Sequence, residues 1–457
     1  MKNIYIKILC LAFTCLGLIS TARAQWIETT ITMPPQASAR DLIYNPISNK
    51  VYTANVPDVG MPAQRSVTII DGGSNTILTT LQVPDGPRDF CHNTQNNKIY
   101  VANYFADSIT VIDGQTDQII AVLPAGDGPR ALCYNSTDNR IYCANEFSGN
   151  VTVIDGASST VITTISVGST PRVICYNNIS NKIYVPNAGS QNLSVISGSS
   201  NTVIATLPMG NLPRGIVFNP QINRVYVSNY SSDNVKVIDG VSDAVISTIT
   251  VGDGPTAMFH NPSGNKIYCS NVGAPGPNTP AACTISVIDA VNNIVISTIT
   301  AGDEPTAFCY SPNNNKIYWV DEWSHRVSVA DAATDSVIMT ISLGSGVIQP
   351  VDLCCNPINE RVYTANRLTY NLTVIKDSLT TTGISSPTIE NSFIKIYPNP
   401  VDHVLYLNEK LSFSVYSSNG QLMYQQAESS ANLDVSYLTP GLYLLVTDKG
   451  VIRFVKK

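Results

Sequence analysis

Short runs of apolar residues, each closed by Asn, Asp, Gly, Ser or Pro, fill the chain from residue 26 to residue 376. The stretch 130–167 shows the pattern. Arg130-Ala-Leu-Cys-Tyr134 predicts one strand, and Asn135 to Asn139 predict a turn, because such residues cap their own backbone or tolerate the left-handed region. Arg140-Ile-Tyr-Cys-Ala144 predicts a second strand. Asn150-Val-Thr-Val-Ile154 alternates polar and apolar positions, as a half-buried third strand does. Asp155-Gly156 opens another tight turn. Thr160 to Val167 is rich in β-branched residues and predicts a fourth strand. Gly168-Ser-Thr-Pro171 then leads into the next unit.

The unit repeats. Its second strand carries a tyrosine at Tyr52, Tyr100, Tyr142, Tyr184, Tyr226, Tyr268, Tyr318 and Tyr363, and most of these are 42 residues apart. Four short strands per unit at this period predict a β-propeller, and the tyrosines count eight blades, numbered here in that order. The eighth unit, Val351 to Ile375, lacks a fourth strand. Trp26 to Met33 matches the fourth-strand pattern of Val245 to Val251, so the N-terminal strand is expected to complete the last blade and cover an open sheet edge.

Tyr100-Val-Ala-Asn103, Val111-Ile-Asp113 and Gly126-Asp-Gly-Pro-Arg130 resemble the YVTN-family β-propeller repeat over residues 26–376. The resemblance implies an exported or surface protein, and seven blades is the commoner number among such proteins. After Lys376 the repeat stops, and the Ser, Thr, Gly and Pro content of 377–391 reads as a linker. Residues 392–457 form a separate small β unit, expected as a sandwich. Tyr397-Pro-Asn-Pro400, Phe413 to Gln421, Leu438-Thr-Pro-Gly441 and the basic end Arg453 to Lys457 resemble the type A sorting domain of the Bacteroidetes type IX secretion system. That resemblance implies contact with the secretion machinery, passage across the outer membrane, removal of the tail, and release or surface attachment.

Composition narrows the reading further. Charged residues are 13% of the 457 and the formal net charge is −6, so bulk charge draws the chain neither to nucleic acid nor to an anionic membrane. Lys2, Lys7, the apolar run Ile8 to Ile19 and the small residues Ala22 and Ala24 read as a leader over 1–24. No long apolar run follows it, so no transmembrane segment is expected. Cys91, Cys133, Cys175, Cys309 and Cys354 share a repeat position with Ile43, Val217 and Phe259, which marks that position as a buried apolar site. Cys269 and Cys283 bracket a Pro- and Gly-rich insertion and are a candidate disulfide pair, with two free thiols the alternative.

Candidate chemistry is sparse. His92 and His260 share a strand position with Tyr44, Tyr134 and Tyr176 and are read as packed; His403 lies in the tail. No zinc-like spacing, nucleophile elbow or phosphate loop is present, and no cofactor is expected. The recurrent Asp71, Asp113, Asp155, Asp239, Asp289 and Asp331 read as turn residues, with calcium binding a lesser alternative. Two features depart from the repeat. Arg88, Arg130, Arg172 and Arg214 follow the connecting proline in blades two to five, and Arg40 holds the same position after Ala39 in blade one, while Thr256, Thr306 and Val351 stand there in blades six to eight. They are expected at the channel mouth, free for a ligand or else paired with Asp85, Asp127 or a loop carbonyl. In blade seven Asp321-Glu-Trp-Ser-His-Arg326 replaces small or amidic residues, and Trp319 replaces a small or β-branched one. Asp321, Glu322, Trp323 and Arg326, with Arg367 and Tyr370 of blade eight, complete the candidate site, unless Trp319 and Trp323 only fill a packing gap. The favoured function is a binding module for a protein or a glycan. The alternatives are an enzyme resembling the lactonase or lyase propellers and a structural envelope component.

Overall fold

The structure is a computed structural model that describes residues 25–35, 37–56, 65–273, 283–344, 348–378, 396–417, 422–447 and 450–457. The expected leader lies outside these residues, as do most of the expected linker and the centres of the long loops of blades one and six. The chain divides into a unit spanning Ala24–Leu379 and a second that holds the C-terminal strands.

The described residues of the first unit form eight four-stranded antiparallel sheets. Blade one is Ser38–Asn45, Lys50–Val56, Ser66–Asp71 and Ile77–Gln82. Blades two to seven repeat that order, from Pro87–Asn93 to Val337–Ser342. In blade eight Pro350–Asn356, Arg361–Asn366 and Asn371–Asp377 are completed by the N-terminal strand Gln25–Thr32. That strand runs antiparallel to Asn371–Asp377, from Gln25 opposite Asp377 to Thr32 opposite Asn371. First strands of successive blades pack on one another around the full circle, from blade one to blade eight and back. Asp377, assigned to the linker from sequence, is instead the last residue of a strand and is buried.

The core is divided among the seams between blades. Tyr100, Ile109 and Val111 of blade two meet Leu132, Ile141 and Ile154 of blade three, and the equivalent residues meet at the other seams. Second and third strands are therefore buried on both faces, which is why they read as nearly continuous apolar runs. Each buried Ile or Val contributes about 1.5–3 kcal/mol. Fourth strands are largely exposed.

One face of the ring carries the first-to-second and third-to-fourth turns, and it repeats almost without change. A left-handed Asn, Asp or Ser ends the second of these turns, as at Asn75, Asp117, Ser159, Asn201 and Asp243. The recurrent Asp caps the same turn: Asp71 accepts from the amides of Gly73 at 3.0 Å and Ser74 at 2.7 Å, as the sequence led us to expect. The preceding blade then reaches across. Lys182 donates to Asp243 at 2.8 Å and Tyr184 Oη to the same carboxylate at 2.9 Å. Lys50 with Tyr52, Lys98 with Tyr100 and Arg361 with Tyr363 reach the next turn in the same way. Lys316 reaches Asp377 at 2.7 Å, and both are completely buried. His92 follows its column: its Nε2 lies 3.1 Å from Asn97, where Tyr134 reaches Asn139.

Two cysteine expectations change. Cys269 and Cys283 are both free thiols. Cys269 faces the core at the seam of blades five and six, while Cys283 turns toward the Val272 carbonyl, 3.2 Å away. The disulfide is instead Cys309–Cys355, which ties the first strands of blades seven and eight. Cys309 thus leaves the column in which Cys91, Cys133, Cys175 and Cys354 remain thiols.

The second unit contains strands Ile396–Tyr397, Val404–Ser417, Leu422–Asp434, Gly441–Thr447 and Gly450–Lys456. The expected sandwich is, among the described residues, one five-stranded sheet. Its longest strand changes register against Leu422–Asp434 around Leu411, so one half pairs with Ile396–Tyr397 and the other with Gly441–Thr447. Leu405, Phe413, Val415, Leu445 and Phe454 form its core.

Candidate functional site

The opposite face of the ring is built from the second-to-third loops and the connections between blades. They are hydrogen-bonded to each other: Glu146 N donates to Gly128 O at 2.8 Å and Phe147 N to Asp127 O at 3.1 Å. The residue before the connecting proline is left-handed, a conformation that favours glycine, although Thr170, Leu212, Glu304 and Gln349 also hold it. Gly128 has φ +69, and a Cβ there would come within 2.7 Å of the Phe147 ring.

The arginines enter the channel from this face. Arg88, Arg130, Arg172 and Arg214 line a chamber of about 600 Å³, together with Asp89, Thr256, Thr306 and an apolar wall that includes Val173, Ile216, Met258 and Phe308. Arg40, Arg88, Glu322 and Arg367 line an adjoining cavity of about 420 Å³ with Tyr104 and Phe105. Arg88 belongs to both.

The pairing differs from the expectation. Neither Asp85 nor Asp127 meets the arginine series; Asp85 pairs with Arg65. Glu146, only 4% exposed, takes Arg130 at 2.6 Å and Arg172 at 2.7 Å. It also accepts from Tyr104 Oη at 2.9 Å. Burial alone would raise its pKa, but the Tyr104 hydrogen bond and the two guanidinium charges hold it below the ordinary glutamate value. Arg88 and Arg214 are supported differently, by ring faces: Arg88 lies 4.9 Å from the centroid of Tyr104 and Arg214 lies 4.0 Å from that of Tyr230. Tyr104 in turn meets Phe105 at 5.0 Å and Phe147 at 5.5 Å, and these two phenylalanines are 66% and 63% exposed.

Of the blade-seven candidates, Asp321 and Arg326 do not face the ligand space. Asp321 is fully buried and takes the place of the asparagine that ends the second strand in every other blade. It accepts from Trp319 Nε1 and Gly302 N at 3.0 Å, from Arg326 Nε at 2.8 Å and from Ser328 at 2.7 Å. An Asn–Asn contact in blade three, Asn145 to Asn150 at 2.7 Å, has become an Asp–Arg pair here. Trp319 is packed in the seam of blades six and seven. Trp323 is 51% exposed and donates to Glu304. Tyr370 is half-buried, its carbonyl accepts from Met33 N at 2.9 Å, and it lines neither cavity. Glu322 does line one, and its pKa is pushed up to about 7 by burial and by Glu304, against the pull of Arg367 and Arg40.

Residue-by-residue reading missed Glu146, Tyr104 and Tyr230. The signal was the position after the strand-ending asparagine, which reads Val56, Tyr104, Glu146, Ala188, Tyr230, Val272, Glu322 and Arg367 around the ring. It also missed Asp41, Asp89 and Asp352. Asp352 accepts from Leu42 N of blade one at 2.7 Å and Asp89 from Leu132 N of blade three at 2.6 Å, so they tether inner strands across seams. Burial raises the pKa of all three, and for Asp41 the charge of Asp352 adds to it.

Comparison with known proteins agrees with this architecture. Residues 59–180 match the YNCE-like beta-propeller family model, and residues 395–457 match the secretion system C-terminal sorting domain. No curated protein matches the chain. Among solved structures, Kuenenia stuttgartiensis Hydrazine Synthase aligns with a TM-score of 0.52 at 16% identity, over 78% of this chain and 99% of that chain, which speaks to fold alone. The chain is thus a β-propeller protein with a type IX sorting tail, which marks it for secretion or the cell surface. Among the described residues no helix is long and apolar enough to cross a membrane.

Proposed function

We propose that the exported propeller is a binding module that takes a protein or glycan ligand on its channel-mouth face. The observation that carries this reading is the contrast in the loop column: blade after blade, the turn face keeps one set of contacts, while the mouth face changes its residues around two adjoining cavities. Exposed Phe105, Phe147 and Trp323 add apolar area beside those cavities. Arrays of glycans and of extracellular proteins, probed with the purified full chain, test it. A ligand is expected whose capture is lost on Phe105→Ala/Phe147→Ala and kept on Val241→Ser, a change at an exposed position on the turn face. Equal loss from both variants, or no ligand, would remove the reading.

One observation favours an enzyme of the lactonase or lyase type instead. Glu322 sits in a cavity with Arg40, Arg88 and Arg367, and a carboxyl titrating at about 7 is suited to moving a proton at neutral pH. Turnover of lactones or uronate oligomers that vanishes on Glu322→Gln would establish that alternative.

A further inference from the structure

Resting on the binding reading above, we propose that the arginine-lined chamber takes the anionic end of an acidic glycan, with Arg88 and Arg214 making the direct contacts. Three observations lead there. First, the chamber wall carries four guanidinium groups, and Glu146 is committed to Arg130 and Arg172. Asp89 is the acid that lines the chamber beside them, so four guanidinium groups face one carboxyl there and an entering anion meets a surplus of positive charge. Thr256 and Thr306, at the same level of the ring, add no charge of either sign.

Second, the Arg88 and Arg214 guanidinium groups lie over tyrosine rings, 4.9 Å and 4.0 Å from the centroids. A guanidinium supported by a ring and not by a carboxylate keeps N–H donors for another acceptor, and a carboxylate or sulfate edge fits that fork. The Nε of Arg214 is buried with no hydrogen-bond partner, so its donor is unused as the chamber stands. Third, the rim beside Arg88 is aromatic. Phe105 and Phe147 flank Tyr104 and leave about two thirds of their surface open. The apolar face of a sugar ring can lie on such a shelf while its acidic group reaches the arginines. A chamber of about 600 Å³ falls in the range of small-ligand sites, admitting a sugar unit or two but no folded domain.

Calorimetry with the full chain tests this. The probes are a galacturonic acid trimer, its methyl ester, a sulfated disaccharide and hexaglutamate. Binding is expected for the acidic trimer or the sulfated sugar, the two arms separating carboxylate from sulfate, and none for the ester. Affinity should weaken as salt rises. Arg88→Met/Arg214→Met should lower it by about tenfold or more, since each removes a charge-assisted hydrogen bond. Arg88→Lys/Arg214→Lys, which keeps the charge and loses the fork, should fall between, and guards against a folding defect in the first pair. Lys236→Met, outside the chamber, should change nothing. Equal binding of the ester, binding of hexaglutamate alone, or an unaltered affinity in the Met pair would overturn the proposal. If the arrays return a mouth-face ligand while every acidic sugar fails, this inference falls and the binding reading stands. If both return nothing, both fall.

Discussion

The two faces of the ring are made from the same repeat and have diverged to different degrees. On the turn face, a basic residue and a tyrosine from one blade reach the left-handed turn of the next, in blade after blade. On the mouth face, the corresponding column changes from Tyr to Glu to Ala to Arg. The turn face has a job that every seam shares, which is to hold neighbouring sheets in register. The mouth face has no such shared job, so its residues are free to answer to something outside the fold. Where a repeat is kept, the reason is stability; where it is broken without loss of packing, the reason is sought in a ligand.

The largest test of this contrast is at the seam of blades seven and eight. Lys316 and Asp377 are the most buried of the turn-face pairs, at 0% and 1% exposure, whereas Lys50 and Asp117 keep 12% and 15%. Lys316→Met leaves the Asp377 carboxylate buried with its charge uncompensated. A loss of about 3–5 kcal/mol is expected from denaturant unfolding. Lys50→Met should cost clearly less, because water can reach Asp117. Lys316→Met/Asp377→Leu should recover most of the loss. Equal costs at the two seams would mean that burial does not distinguish them.

On the mouth face the corresponding test is Glu146→Gln. It removes the charge that Arg130 and Arg172 share but keeps the shape and one acceptor for Tyr104. A stability loss of about 1–3 kcal/mol is expected, smaller than at the seam of blades seven and eight. Affinity for a neutral ligand should not change, while affinity for an acidic sugar should rise, since Arg130 and Arg172 lose the charge that neutralises them. A fall in that affinity would show that Glu146 positions the arginines and does not compete with the ligand.

The two faces also differ in how much of them could be read from the chain. The turn face was legible, because Tyr, Asn and Asp recur at one period and a repeated residue in a repeated unit implies a repeated contact. Closure by the N-terminal strand was legible for the same reason: the pattern was missing at one end and present at the other. The mouth was legible only in part. The arginines stood out as a column, but their partners did not, since Tyr104 and Glu146 lie in different blades and meet only when blades two and three pack. Asp321 misled because a charged residue in a loop motif looks exposed. It is the asparagine position of the repeat, buried in every blade, and Arg326 is its matched partner. The Cys309–Cys355 bridge was hidden by a column that elsewhere holds thiols, Ile, Val and Phe.

A smaller effect comes from pH and acts at the seams of blades eight, one and two. Asp41, Asp89 and Asp352 titrate higher in the folded chain than unfolded, as does Glu322 on the mouth, and Asp89 and Glu322 lie at about 7. Between the ordinary carboxylate range and about pH 7 these four carboxyls bind more protons in the folded chain than in the unfolded one. They outnumber His92 and His260, which burial holds below the ordinary histidine value and which act the other way. The balance predicts that stability falls as pH rises through that window. Carboxylates held low, such as Asp377 and Glu146, lose their contribution only below the ordinary range and do not offset this. The melting temperature should be higher at pH 5 than at pH 8, and Asp41→Asn should narrow the gap. A melting temperature that rises from pH 5 to pH 8 would contradict the burial of these groups.

The smallest expected effect on the fold is at Trp323, and its smallness is the point. The side chain is half exposed, lines neither cavity, and donates a single hydrogen bond to Glu304 at the surface. Trp319, four residues earlier, is buried in a seam and belongs to the packing. Two tryptophans in one blade therefore fall on opposite sides of the contrast between the faces. Trp319→Ala should cost about 3–5 kcal/mol, as a large core truncation does. Trp323→Ala should stay within about 0.5 kcal/mol of the parent in the same denaturant titration, as surface changes do. Any ligand that uses the blade-seven side of the mouth should lose affinity on Trp323→Ala with the unfolding midpoint unmoved. If the midpoint instead drops by an amount comparable to Trp319→Ala, Trp323 serves the fold, and the ligand face contracts to the arginine chamber and its phenylalanine rim.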